Sequence, residues 1–280
     1  MQRLVLIRGL GHSGTTLLEV LLSRHPGFIG LGEAFRTLRG VSDEKKLPSI
    51  IRTEQRKDMI CTCGNVVPKC PVWGPISQFL SNNDNDQLLE IEKIKYFLNH
   101  IKNIYDINRI IIDSSQSDLD VNLLSNLGKV YDVKVVFVVR DVRSWVFSRL
   151  RKKDGSALRH IISWYRGNRR VEKALITSGL PYFLLGYEEL SLSPETSVRS
   201  LVSWIGVNDD IQLNPGTSHL SVGNRMRLKA TQDFRVQYDA AWLSDLSLDI
   251  FSSISFSFIE KDNRRLVYSN NFFLDKDKGK

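Results

Sequence analysis

The opening of the chain limits its fold more than any other stretch. Within the first 24 residues a short apolar run passes through a glycine-rich turn into a helical repeat. Arg3 to Arg8 reads as a buried strand, because the run is short, apolar and bounded by glycine. Gly9 to Gly14 is the turn. From Thr15 to Arg24, Leu17, Leu18, Leu21 and Leu22 recur at helical spacing, and His25-Pro26-Gly27 stops the helix. A strand feeding straight into a helix starts an α/β layer structure.

The rest of the chain repeats that alternation. Leu88 to Tyr105 is an amphipathic helix, with Leu88, Ile91, Ile94, Phe97, Leu98 and Ile101 on one face. Arg109 to Ile112 is a strand ending at Asp113. Leu119 to Leu127 is helical. Lys134 to Val139 is the plainest strand, with five apolar residues in a row. A helix follows with Val142, Trp145, Val146 and Leu150 as its buried stripe, then another over 157–177. Tyr182 to Leu185 is a strand; Val198 to Ile205 and Ala240 to Ile259 are helical. Residues 40–57 are polar, and 58–75 carry three cysteines and look irregular. No internal repeat breaks the chain, so one domain over 1–280 is expected, with an irregular cysteine-containing insertion around 40–80. Alternating strands and helices imply a mainly parallel sheet, and ligands of such sheets bind at the strands' carboxyl ends. Arg8, Asp113, Arg140 and Tyr187 all fall there.

Composition enters as a filter. The chain has 280 residues, 42% hydrophobic and 25% charged, so it can bury a core. No stretch nears the ~20 apolar residues of a spanning helix, and the first apolar run is too short for a signal peptide. A cytoplasmic protein without an integral membrane segment is expected. Lys plus Arg exceeds Asp plus Glu by +8, which suits an anionic ligand.

The turn GLGHSGTTLL, Gly9 to Leu18, is built for such a ligand. Its glycines let backbone N–H groups converge, and the following helix adds its positive end. Gly11, His12, Ser13, Gly14, Thr15 and Thr16 would line this cradle. Thr15 stands where a triphosphate-binding loop needs lysine, so a single phosphate fits better than an ATP tail. A second cluster follows the central strand. Arg140 ends it, and i, i+4 spacing puts Ser144, Ser148 and Lys152 on one helix face. Arginine as a fork and lysine as a point charge would hold a dianionic phosphate there.

With both motifs in view, the chain resembles sulfotransferases that use 3′-phosphoadenosine 5′-phosphosulfate (PAPS). S-G-T-T-L-L followed by His25-Pro26 is most similar to the tyrosylprotein sulfotransferases and their bacterial relatives. The resemblance implies a P-loop-like, three-layer α/β domain with a central parallel sheet. It implies that the glycine turn takes the 5′-phosphosulfate, and that Arg140, Ser148 and Lys152 take the 3′-phosphate. It makes Glu33, eight residues after His25, the general base. A helix-start carboxylate is the competing role for Glu33. The family carries arginine or lysine before the serine, where this chain has His12, and its catalytic lysine is missing at both Ser114 and Gln116. His12 is the expected substitute. Tyr187, in Tyr187-Glu188-Glu189-Leu190, and Asn224 and Arg225, in the loop His219 to Arg227, would be further nucleotide contacts.

The reading that follows is sulfonyl transfer from PAPS to a hydroxyl by in-line displacement, with adenosine 3′,5′-bisphosphate (PAP) released. No metal is required, because no triphosphate needs neutralising. The acceptor is a small molecule, glycan, lipid or peptide hydroxyl, and nucleic acid is not a partner. A P-loop phosphotransferase or kinase using Asp113 and Mg²⁺ is the alternative, which the missing lysine disfavours. A nucleic-acid module using the basic 140–153 stretch leaves the glycine turn unexplained.

Cys61-x-Cys63-Gly64 and Cys70-Pro71-x-Trp73 resemble a segment common in bacterial members of the family. Three thiolates could hold zinc with a fourth ligand from elsewhere. A Cys61–Cys70 or Cys63–Cys70 disulfide is also open. Buried free thiols are the expectation, since no neighbouring histidine completes a four-ligand set.

Overall fold

A computed structural model describes residues 1–38, 59–86, 88–106, 108–115, 120–152, 155–207, 217–221, 236–244 and 259–270. Six strands form one sheet in the order β5-β4-β1-β3-β2-β6. They are β1 Arg3–Arg8, β2 Phe28–Gly30, β3 Ile110–Asp113, β4 Asp132–Val139, β5 Tyr182–Gly186 and β6 Thr217–Ser218. Every pairing is parallel, so all carboxyl ends share one edge. From β1 the chain first crosses to the β3-β2 side and later to the β4-β5 side. The glycine turn therefore leaves β1 where the strand order reverses, the usual ligand crevice of such sheets.

Alternation along the strands makes three layers. Leu4 and Leu6 of β1 join Val135, Phe137 and Val139 of β4 on one face, under Phe97, Leu127, Trp145 and Trp164. Val5 and Ile7 join Val136 and Val138 on the other, against Leu17, Leu18, Leu21 and Leu22 of α1 (Thr15–Ser23). Helix Pro194–Ile205 covers the same side, and Lys134 Nζ donates to the carbonyls of Trp204 and Ile205 at its C-terminus, where a cation is favoured.

Several boundaries differ from expectation for local reasons. The helix expected from Leu119 begins at Val121, because Asp120 accepts from the N–H groups of Asn122 and Leu123 as its cap. The helix expected from Val198 starts four residues earlier, with Pro194 in its first turn. The cysteine segment is more ordered than expected, with a 3₁₀ turn at Val67–Lys69 and a helix at Trp73–Leu80. Of the stretch 240–259, Ala241–Ser244 is a 3₁₀ turn and 245–258 lies outside the described residues. A helix at Glu260–Val267 was not foreseen. It packs beside β5, where Val267 O lies so close to Gly186 that a Cβ would collide with it.

Candidate active site

The glycine turn is wedged between two strand ends. A Cβ on Gly9 would lie 2.3 Å from Val138 O of β4. Gly14 caps α1 with φ +93°, and a Cβ there would strike the Tyr187 ring at 2.6 Å. Only glycine meets both conditions. His12, between them, also has positive φ at 73°. Trp145 Nε1 donates to Gly11 O at 2.8 Å and pins the turn to helix Val142–Leu150. Inside the turn, Ser13 Oγ is buried and has no hydrogen-bond partner among the described residues. A buried hydroxyl left unpaired is costly.

The second cluster closes on the first. Arg140 is 6% exposed. Its Nε donates to Ser144 Oγ, its Nη1 to His12 O at 3.4 Å, and its Nη2 to Asp239 Oδ2 at 3.1 Å. The guanidinium stacks on Tyr187, 4.5 Å from the ring centroid. Ser148 Oγ lies 3.5 Å from His12 Nδ1, and Lys152 Nζ lies 3.2 Å from His12 Nε2. His12, Arg140, Ser148, Lys152 and Tyr187 thus form one group. Burial, then the positive charges of Lys152, Arg149 and Arg140, lower the His12 pKa from 6.5 to about 4. His12 is neutral at pH 7 and can accept from Lys152.

Glu33 follows β2 at the same sheet edge, just before α2 (Ala34–Leu38). The N–H groups of Phe35 and Arg36 donate to Asp113 Oδ1 and Ser115 Oγ. Arg36 Nη1 pairs with Glu33 Oε2 at 2.8 Å and orients the carboxylate. Asp113 itself is consumed. It pairs with Arg8 at 2.8 Å and accepts from Phe35 N, Ser115 N and Ser115 Oγ, which leaves its carboxylate ill suited to the magnesium role of the alternative reading.

Two partners, Asp239 and Glu19, carried little or no local signal. Asp239, which faces Arg140, lies 99 residues away from it in sequence. Glu19 is fully buried in α1 and accepts from Gly32 N at 2.7 Å and from Ser114 Oγ. A lone carboxylate amid TTLLEVLL was the one available hint of it. Ser114, one of the two positions where the family's lysine is missing, is thus turned to Glu19. Gln116, Asn224 and Arg225 lie outside the described residues. Burial raises the Glu19 pKa from 4.5 to about 8. The folded state then holds a proton the unfolded chain releases, so this contribution is complete below pH 4.5 and fades as pH rises toward 8. Glu19→Gln should flatten that decline between pH 5 and 8 in urea titrations; an unchanged slope would assign the decline to another group.

Comparisons with known proteins bear on this edge. The model of the sulfotransferase family matches residues 5–210, which span the glycine turn, Glu33, the Arg140 cluster and Tyr187. The chain belongs to the sulfotransferase family. No curated protein matches it. Among solved structures, the sulfotransferase domain of the Synechococcus PCC 7002 olefin synthase is similar, at 17% identity and TM-score 0.54, covering 96% of this chain and 94% of that one. The sulfotransferase domain from the curacin biosynthetic pathway is 16% identical with TM-score 0.53, covering 97% and 98%. At such identities the likeness concerns the fold, and it agrees with a P-loop-like α/β sheet. No helix among the described residues is long and apolar enough to cross a membrane.

Proposed function

We propose that this sulfotransferase takes its sulfonyl group from PAPS and passes it to a hydroxyl acceptor, with Glu33 as general base. One observation carries the donor assignment: a glycine cradle with an unpaired Ser13 hydroxyl abuts a pocket of Arg140, Ser148 and Lys152. Two anion sites joined through His12 suit a nucleotide bearing phosphates at both its 3′ and 5′ positions. The turn and the first N–H groups of α1, which have no helical partners, would hold the 5′-phosphosulfate with Thr15 and Thr16. Tyr187 would flank the nucleotide, with Asn224 and Arg225 as further proposed contacts.

In the reaction the acceptor oxygen attacks sulfur while Glu33 takes its proton. The bond from sulfur to the bridging phosphate oxygen breaks, and PAP leaves with the electron pair. Charge grows on that oxygen, so a fixed donor beside it lowers the barrier. His12 and the cations around it fill the role of the absent family lysine. Incubating the protein with radiolabelled PAPS and panels of sugar, lipid, small-molecule and tyrosyl-peptide hydroxyls tests the reading. Label transfer to one class is expected, as is thermal stabilisation by PAP without magnesium. Stabilisation by Mg-ATP alone would overturn it in favour of a phosphotransferase.

His12 supplies a pH signature. Its lowered pKa means the free protein loses stability as pH falls from 6.5 toward 4. A phosphate dianion bound beside it favours the imidazolium and raises that pKa. PAP binding near pH 6 should therefore take up a proton, seen by calorimetry in buffers of different ionisation enthalpy. The uptake should fall to the phosphate's own share in His12→Gln, whereas equal uptake in both proteins would remove His12 from the pocket. His12→Arg, which restores the family's charge, should keep substantial activity.

A further inference from the structure

The three cysteines meet a histidine that the sequence places far away. Cys70 Sγ lies 3.6 Å from Cys61 Sγ and 3.7 Å from Cys63 Sγ. His219 Nδ1 lies 3.3 Å from Cys70 Sγ and 4.0 Å from Cys61 Sγ. All four ligand atoms fall within 4.8 Å of one another, and Cys61, Cys70 and His219 are buried. These are not disulfide distances, since a bonded pair would sit at about 2.0 Å. The four distances are close to the edges of a metal tetrahedron. With Zn–S near 2.3 Å and Zn–N near 2.0–2.1 Å, tetrahedral geometry requires S···S of about 3.8 Å and S···N of about 3.6 Å.

The surroundings are shaped for a metal as well. Cys61-Thr62-Cys63-Gly64 makes a tight turn, with Gly64 N donating to Cys61 O at 2.9 Å and Gly64 at φ +88°. An antiparallel bridge between Ile60 and Val66 closes it. Asn65 Nδ2 points at Cys63 Sγ from 3.7 Å. The other nitrogen of His219, Nε2, is hydrogen-bonded to Tyr105 Oη. A ligating imidazole is commonly fixed by such an outer bond, which sets its tautomer and aim.

We propose that Cys61, Cys63, Cys70 and His219 bind one Zn²⁺ ion in a structural site. Three thiolates and one imidazole are a soft, tetrahedral set that selects zinc over the hard cations. Four protein ligands leave no open position for catalysis, so the ion serves architecture. It joins three segments that are distant in sequence: the cysteine turn, the end of helix Glu90–Ile104 through Tyr105, and the residue after edge strand β6. Such an ion supports the frame around the site rather than the chemical step.

The test does not depend on the donor or the acceptor. Protein purified without chelators, and freed of any metal-binding tag, is assayed by elemental analysis. About one zinc per chain is expected, with the three thiols shielded from a disulfide reagent until zinc is removed. Reduced apoprotein titrated with Co²⁺ should show thiolate-to-cobalt charge transfer and the intense visible bands of a tetrahedral site, saturating at one equivalent. Cys63→Ser, at the most exposed ligand, should weaken metal binding at least tenfold, and His219→Ala should shift the cobalt bands. Substoichiometric zinc together with a featureless cobalt titration of the wild-type chain would overturn the site. So would one equivalent of zinc retained unchanged in both variants. Because the cobalt spectrum is read on the wild-type protein, a variant that fails to fold does not decide the question.

Discussion

Glu33→Ala should lower turnover by at least about 100-fold with the true acceptor, the usual scale for losing a general base. Glu33 sits at the carboxyl edge of the sheet, oriented by Arg36, and the proposed donor pocket is built from other residues. PAP affinity in the variant should therefore remain close to that of the wild type. The two measurements separate a catalytic role from a structural one. A collapse of both turnover and PAP affinity would mean that the mutation damaged the sheet edge. Near-normal turnover would make Glu33 a helix-start carboxylate that serves α2. Glu33→Gln keeps the shape and removes the base; it should be as slow as the alanine variant.

PAP should bind at least tenfold more tightly than adenosine 5′-monophosphate, and Arg140→Ala should abolish most of that preference. The difference between the ligands is the 3′-phosphate, for which Arg140, Ser148 and Lys152 are the proposed partners. Each charge-assisted contact contributes roughly 1.5–3 kcal/mol, so losing even one costs about a factor of ten. Asp239 complicates the pocket in an informative way. It holds the same guanidinium at 3.1 Å, so an arriving phosphate must share or displace it. Calorimetry of both ligands with both proteins gives the ratio directly. Equal affinities in the wild type would remove the second phosphate site, whatever the mutant does.

Much of this architecture was legible in the residues themselves. β1, the glycine turn and α1 are adjacent in sequence, and the physics that shapes them is short-range: alternation, glycine's freedom at positive φ, and the 3.6-residue repeat. The same holds for Ser144 and Ser148, which spacing places on one face of helix Val142–Leu150; Lys152, expected on that face too, lies in the turn just past the helix end, and the fold still brings it to His12. The strand ends Arg8, Asp113, Arg140 and Tyr187 could be assigned to one edge because parallel crossovers leave every carboxyl end on the same side.

Tertiary structure decided the partners. Asp113 has the residue type and position of a magnesium ligand, yet Arg8 and the start of α2 occupy its oxygens. Glu19 looks like a charge misplaced in an apolar helix until Gly32 and Ser114 arrive to satisfy it. The cysteines lacked a histidine within reach along the chain, and β6 delivers His219 from 149 residues beyond Cys70. Local sequence determines which conformations a segment favours, because those energies act between near neighbours. Which buried donor meets which acceptor is settled only when the sheet closes, since each desolvated group must then be paired with whatever the topology brings beside it.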